Sequence, residues 1–279
     1  MNVEIKQHHL SNQQPEEGLV IMKTATRLIA LAVLLSGTFF VSSTLACSTI
    51  AWSSATAGAT ADDPTNGVPR VSGLCGLEVT GTGHVVDISP AAEATVIARF
   101  YVYAELTSGV PVIFEAFSDD AATASLLTVT FDGTNFVFDA GATASGNVAG
   151  KSGWNLVELA WTGGTGMDYW VNADASIDAV TGSVGAAAGT MESVILGATA
   201  AVDGKLVFDD YESHRSLPVG ALLAGDGNND GAVNSGDIIS IINEFFQAGL
   251  ASGTPDCNLD GNVNSGDIIC IINAFFAGA

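Results

Sequence analysis

The chain has 279 residues, with 30 acidic against eight basic side chains and a formal net charge of −22. Such a charge argues against nucleic acid or an anionic membrane surface as partner, because both would repel the protein. From Cys47 onward only five basic residues remain (Arg70, Arg99, Lys151, Lys205 and Arg215), and no CxxC pair, HExxH motif or histidine cluster is present. Nitrogen- and thiolate-based metal chemistry therefore has no candidates.

Residues 1–46 read as an N-terminal extension and signal peptide. Met1–Ile21 is polar and has no packing pattern, and Met22 is an alternative start. Lys23 and Arg27 then precede the apolar run Leu28–Val41, and Ser43-Thr44-Leu45-Ala46 precedes Cys47, the layout of an export signal. A run of fourteen residues falls short of the twenty or so that span a bilayer, so a retained anchor is the alternative and export the expectation. Cys47 stands where a lipoprotein cysteine would, but Thr44 replaces the apolar residue expected three positions earlier. A secreted protein is expected, with a lipid-anchored form as the alternative and no membrane contact after cleavage. An oxidising compartment permits disulfides, and spacing favours Cys47–Cys75 and Cys257–Cys270 among three connectivities open on paper.

Residues 47–215 show almost no helical period. Val96–Glu105 and Trp154–Trp161 alternate apolar and polar positions, and Leu127–Phe131 leads through Asp132-Gly133 into Phe136–Phe138, a hairpin signature. Val112–Phe117, Met167–Val171, Met191–Ala198 and Lys205–Tyr211 read as further strands. Ten to twelve short strands predict two antiparallel sheets packed as a β-sandwich, so the fold class is mainly β with a small helical part at the C-terminus. Gly153–Trp161 and Tyr169-Trp170-Val171-Asn172 are similar to the central hairpin of concanavalin A-like (laminin G-like) jelly rolls, and Leu206–Tyr211 to their last strand.

Folds of that group host binding modules, adhesion domains, glycoside hydrolases and lyases, so chemistry has to decide. Glycosidases need two carboxylates facing one another across the scissile bond, and no Glu-x-Asp or Glu-x-Glu run lies between Cys47 and Arg215. Glu158 alternates with Val157 and Leu159 and is expected in solvent, and no catalytic residue is assigned. Scarce basic residues argue against an acidic-sugar lyase. Trp161 and Tyr169 are expected in the core, while Trp170 and Tyr103 are candidates for an exposed platform on which a polysaccharide stacks. Asp62-Asp63 and Asp209-Asp210 are either a further calcium site or solvated loop acids. A carbohydrate-binding or adhesive sandwich is the first reading. A polysaccharide-degrading enzyme with an unrecognised site is the second.

Residues 216–224 form a short linker with a stiff Ser216–Gly220 joint. Residues 225–279 then carry one pattern twice, thirty residues apart. Asp226, Asn228, Asp230, Asn234 and Asp237 occupy loop positions 1, 3, 5, 9 and 12, and Asp256, Asn258, Asp260, Asn264 and Asp267 repeat them. Gly231 and Gly261 stand at position 6, where a loop wrapping a cation turns sharply, and Ala232 and Asn262 offer backbone carbonyls at position 7. Ca²⁺ takes six to eight oxygens, which this donor set supplies, so two Ca²⁺ ions are expected. Each loop is followed by a helical stripe: Ile238, Ile241, Ile242, Phe245 and Phe246, then Ile268, Ile271, Ile272, Phe275 and Phe276. The two helices are expected to pack stripe to stripe.

Tandem half-hands with Asp at position 12 and no entering helix resemble a type I dockerin module. The resemblance implies a module that folds on binding two Ca²⁺ and docks a cohesin-like protein. It also assigns partner contact to Ser235 and Ser265, followed here by Gly236 and Gly266 where relatives often carry Thr. The basic pair usual later in the helix is absent, with Asn243-Glu244 and Asn273-Ala274 instead.

Overall fold

The computed structural model describes residues 47–277, so the signal and the start-site alternatives lie outside the described residues. Fourteen strands form two seven-stranded antiparallel sheets. In chain order they are β1 (Ser54–Ala55), β2 (Ala59–Asp62), β3 (Gly76–Gly81), β4 (His84–Asp87), β5 (Thr95–Ser108), β6 (Val112–Phe117) and β7 (Ser125–Phe131). There follow β8 (Asn135–Asp139), β9 (Val148–Ala149), β10 (Trp154–Thr162), β11 (Gly166–Val171), β12 (Gly182–Val184), β13 (Ser193–Gly197) and β14 (Val202–His214). One sheet runs β1-β4-β13-β6-β7-β8-β9 and the other β12-β11-β10-β5-β14-β3-β2. Two helices close the chain, α1 (Ser235–Phe246) and α2 (Ser265–Ala277).

The alternation read from the sequence sets the core. Val96, Ala98, Phe100 and Val102 of β5 face Phe114, Val129 and Phe138 of the other sheet in one buried cluster, with Trp161 and Tyr169 inside it. Phe138 stacks on Tyr169 at 4.1 Å and Phe131 on Phe136 at 4.0 Å. The β7–β8 hairpin turns at Asp132-Gly133 because the Asp132 carboxylate accepts from Thr134 N and Asn135 N, and Gly133 takes a φ of 88°.

The outer face of the β10-β5-β14 sheet departs from the expected wet surface. Tyr101, Tyr103, Trp154, Leu156 and Val207 point outward yet are buried together with Val68 and Val71, with Leu222 and Leu259 packed against them. Residues preceding β3, the linker and the second calcium repeat all lie on that face. Glu158 is correspondingly not in solvent. It is fully buried and its carboxylate accepts from Val219 N and Gly220 N at 2.8 Å each, while Arg99 donates to Gly220 O at 2.8 Å. Glu158 and Arg99 thus clamp the joint onto the sheet. Both expected disulfides are formed, Cys47–Cys75 and Cys257–Cys270.

The helix stripes are only partly buried. Ile241 and Ile271 are fully enclosed where α1 and α2 cross, and Ile238, Ile268 and Ala274 pack beside them. Phe245, Phe246, Phe275 and Phe276 are exposed instead. Two short helices meet near their crossing point, and apolar positions one turn further on have passed the contact.

Candidate metal centre

In the first loop the carboxylates are held by backbone rather than by one another. Asp230 N and Gly231 N donate to Asp226 at 3.0 and 2.9 Å, and Asn228 N and Asn234 N donate to Asp237 at 3.1 and 2.8 Å. Asn234 Oδ1 accepts from Gly236 N at 2.7 Å and caps α1, completing a capping box with Asp237. The second loop repeats this wiring. Asp256 accepts from Asp260 N and Gly261 N, Asp267 from Asn258 N and Asn264 N, and Asn264 Oδ1 from Gly266 N. Gly231 and Gly261 take φ values of 84° and 94°, a region that costs any residue with a Cβ and suits glycine at the tight turn.

These backbone locks gather the acids. Asp226, Asp230 and Asp237 bring one oxygen each within 4.8 Å of one another, and among the described residues no other acidic trio converges so tightly. In the second loop burial pushes the Asp256 carboxyl up to about 7 and raises Asp267, against backbone donors that favour the charged forms. Crowded, half-desolvated carboxylates without a basic partner in the loop fit a hard cation, and the donors are oxygen throughout. The carbonyls of Ala232 and Asn262 accept from Asn234 Nδ2 and Asn264 Nδ2 at 3.5 and 3.2 Å.

Around the helices the two repeats expose matching surfaces. Ser235 and Ser265 are exposed and Gly236 and Gly266 half-buried. Ile239 and Ile269 are each 60% exposed, and Phe246 and Phe276 are 80% and 81% exposed, so the pseudo-twofold relation extends to the surface.

The proposed stacking aromatics fare differently. Tyr103 and Trp170 are 8% and 9% exposed. Tyr103 lies between Trp154 and the second calcium loop, and Trp170 Nε1 donates to Asp178 O. Neither offers an open ring face. Asp62 accepts from Asp63 N and Asn66 Nδ2, and Asp209 from Val71 N, Ser72 N and Asp210 N, so these acids are engaged locally. The sequence reading missed a cavity of about 550 Å³ at the sandwich edge, lined by Trp52, Asp87, Leu196, Asp209 and Tyr211 among others. Trp52 and Tyr211 lie 5.1 Å apart there. No local motif marks it, because its walls come from six separate stretches of chain.

Residues 224–276 match the family model of the dockerin type I domain. No curated protein matches the chain. Solved structures resemble the fold at low identity. Cellulose-induced protein Cip1 is 15% identical with a TM-score of 0.46, covering 58% of this chain and 87% of that one. The ligand-binding domain of botulinum neurotoxin serotype D, in complex with N-acetylneuraminic acid, is 10% identical with a TM-score of 0.40, over 56% and 42%. A Trypanosoma rangeli sialidase is 17% identical with a TM-score of 0.38, over 50% and 25%. This chain therefore spans less than half of the neurotoxin and sialidase chains, and likeness at this level assigns no activity. The C-terminal module of this chain is a type I dockerin, following a β-sandwich.

Proposed function

We propose that this is an exported, calcium-binding assembly protein. Its dockerin module takes two Ca²⁺ through Asp226, Asn228, Asp230, Ala232, Asn234 and Asp237 and through Asp256, Asn258, Asp260, Asn262, Asn264 and Asp267. It docks a cohesin-like protein through either of two equivalent faces, carried by Ser235 and Gly236 or by Ser265 and Gly266. The observation that carries this reading is the matched exposure of Ile239 with Ile269 and of Phe246 with Phe276, since neither calcium nor the module's own core accounts for apolar side chains left in water. Two disulfides are consistent with an oxidising, extracellular setting.

The sandwich is the cargo, and its ligand is a polysaccharide. With Tyr103 and Trp170 covered, the cavity beside Trp52 and Tyr211 is the place for a sugar, since it pairs aromatic walls with acidic acceptors. Asp209 has both oxygens committed to backbone donors, which favours binding over acid catalysis there.

Capture from the secreting cell's own medium tests the module. Ser235→Arg or Ser265→Arg alone is expected to leave capture intact, and the double change to abolish it. Loss from either single change defeats the two-face reading. A glycan array run beside a reducing-sugar assay tests the sandwich: binding lost in Trp52→Ala with no sugar release supports a binding module, whereas release supports an enzyme.

A further inference from the structure

The two calcium repeats differ at six of the 22 paired positions between 226–247 and 256–277, and the differences are not scattered. Gly227 and Ser240 correspond to Cys257 and Cys270. In the first repeat Ser240 Oγ donates to Gly227 O at 2.8 Å, and in the second the same two positions are joined by the disulfide. Asn229 corresponds to Leu259. Both sit in the left-handed region, at φ 60° and 59°, where asparagine is at home and leucine is strained. Leu259 is compensated by the sandwich: Trp154 N donates to Leu259 O at 2.9 Å, and its side chain packs on the cluster of Tyr103 and Trp154.

The loop turn shows the same asymmetry. A Cβ on Gly231 would meet open space, whereas one on Gly261 would collide with the Tyr103 ring, and one on Gly153 with the Leu259 carbonyl. Glu244, replaced by Ala274 in the second repeat, anchors the other flank. Its Oε1 lies 3.0 Å from Arg70 Nη2 with both side chains 1% exposed, an ion pair in distance though not an aligned hydrogen bond. The same carboxylate accepts from Gly249, Leu250 and Ala251 N, so it ties the end of α1 and the segment leading into the second loop to the sandwich.

We infer that the two calcium loops are unequal: the sandwich is a fixed template for the second loop, which stays folded without metal and binds first, while the first loop is the calcium-labile half. This rests on the two-ion reading above. Pre-forming a loop removes its ordering cost from the binding step, so the templated site gains affinity that its twin lacks. Both partner faces remain exposed, so the asymmetry acts on metal occupancy and on the order in which the faces form.

Hydrogen exchange of the intact chain in chelator reads this directly, with calorimetric calcium stoichiometry alongside. Peptides covering 257–268 are expected to stay protected while those covering 227–238 exchange at least tenfold faster. Leu259→Asn, which makes the second loop like the first, is expected to bring the two to within about twofold, with β5 and β10 still protected to show an intact sandwich. Equal exchange in the unaltered chain, or protection unchanged in both Leu259→Asn and Glu244→Ala, overturns the inference. Fewer than two ions per chain overturns the two-ion reading instead, whichever loop is protected.

Discussion

The sandwich and the dockerin module bury apolar surface on very different scales. Between the sheets lies a single continuous cluster that includes Phe100, Phe114, Phe138, Trp161 and Phe208, all fully enclosed. The module's own cluster rests on Val233, Ile241, Cys257 and Ile271. A core of the first kind stabilises a fold by itself, at about 25 cal/mol for each Å² of apolar surface removed from water. A module of some 55 residues with a four-residue buried cluster does not reach that threshold and needs metal, disulfide or neighbour. One region is therefore stable by composition, and the other conditionally.

The sharpest way to break this contrast is to cut the regions apart. Residues 225–279 alone, in chelator, are expected to lose nearly all helical circular dichroism and to regain it with Ca²⁺, because binding free energy there is folding free energy. Helicity unchanged by chelator would show that the small core suffices. In the sandwich, Trp161→Ala is expected to cost about 3–5 kcal/mol in denaturant unfolding, with no change in calcium stoichiometry. A large loss of calcium binding in that variant would mean that the regions unfold as one.

Smaller effects sharpen the comparison. Asp237 is fully buried and both its oxygens accept from loop backbone, at Asn228 N and Asn234 N, whereas Asn234 Oδ1 already caps α1. Asp237→Ala is expected to weaken calcium at the first loop about tenfold more than Asn234→Ala, or about 1.4 kcal/mol, by titration calorimetry. Equal losses would refute the ranking.

The smallest effect concerns pH. Burial, with Asp210 adjacent, pushes Asp209 up to about 7 despite its three backbone donors. Its unfolded value lies near 4, so between about pH 4 and 7 the folded chain holds a proton that the unfolded chain releases. Stability from this group is therefore highest on the acid side and falls as pH rises toward 7. The sandwich melting temperature is expected to drop by a few degrees from pH 5 to 7.5, and Asp209→Asn to flatten that slope. An unaltered slope in the variant would assign the effect to the general negative charge.

How much of this the sequence disclosed depends on the range over which each feature is encoded. The calcium loops were legible because their donors lie within twelve residues and their chemistry fixes the order of Asp, Asn and Gly. Strand alternation in Trp154–Trp161 was legible too, and it sorted Trp161 from Glu158 correctly as to face. Alternation does not say which face is wet, so Glu158, Tyr103 and Trp170 were misplaced. Their cover comes from residues 64–73, 217–223 and 259 for the first two and from the loop near Asp178 for Trp170. The helix stripes failed at Phe246 and Phe276 for a related reason. A 3.6-residue period reports which side of a helix is apolar, not how far along its length the neighbour reaches.

The route from β14 into the module also has a mechanical consequence. A protein held by a polymer on its sandwich and by a partner on its module carries tension between those points, and the pull enters the sandwich at the end of β14. That strand is interior, paired to β5 on one side and β3 on the other. Pulling along its axis strains both ladders in shear, so many hydrogen bonds must yield together, whereas an edge strand would peel one pair at a time. The module's own contacts at Leu259 and Glu244 and the joint pinned by Glu158 and Arg99 must let go before that pull reaches the strand. Survival under tension is then set by the unfolding rate rather than by equilibrium stability.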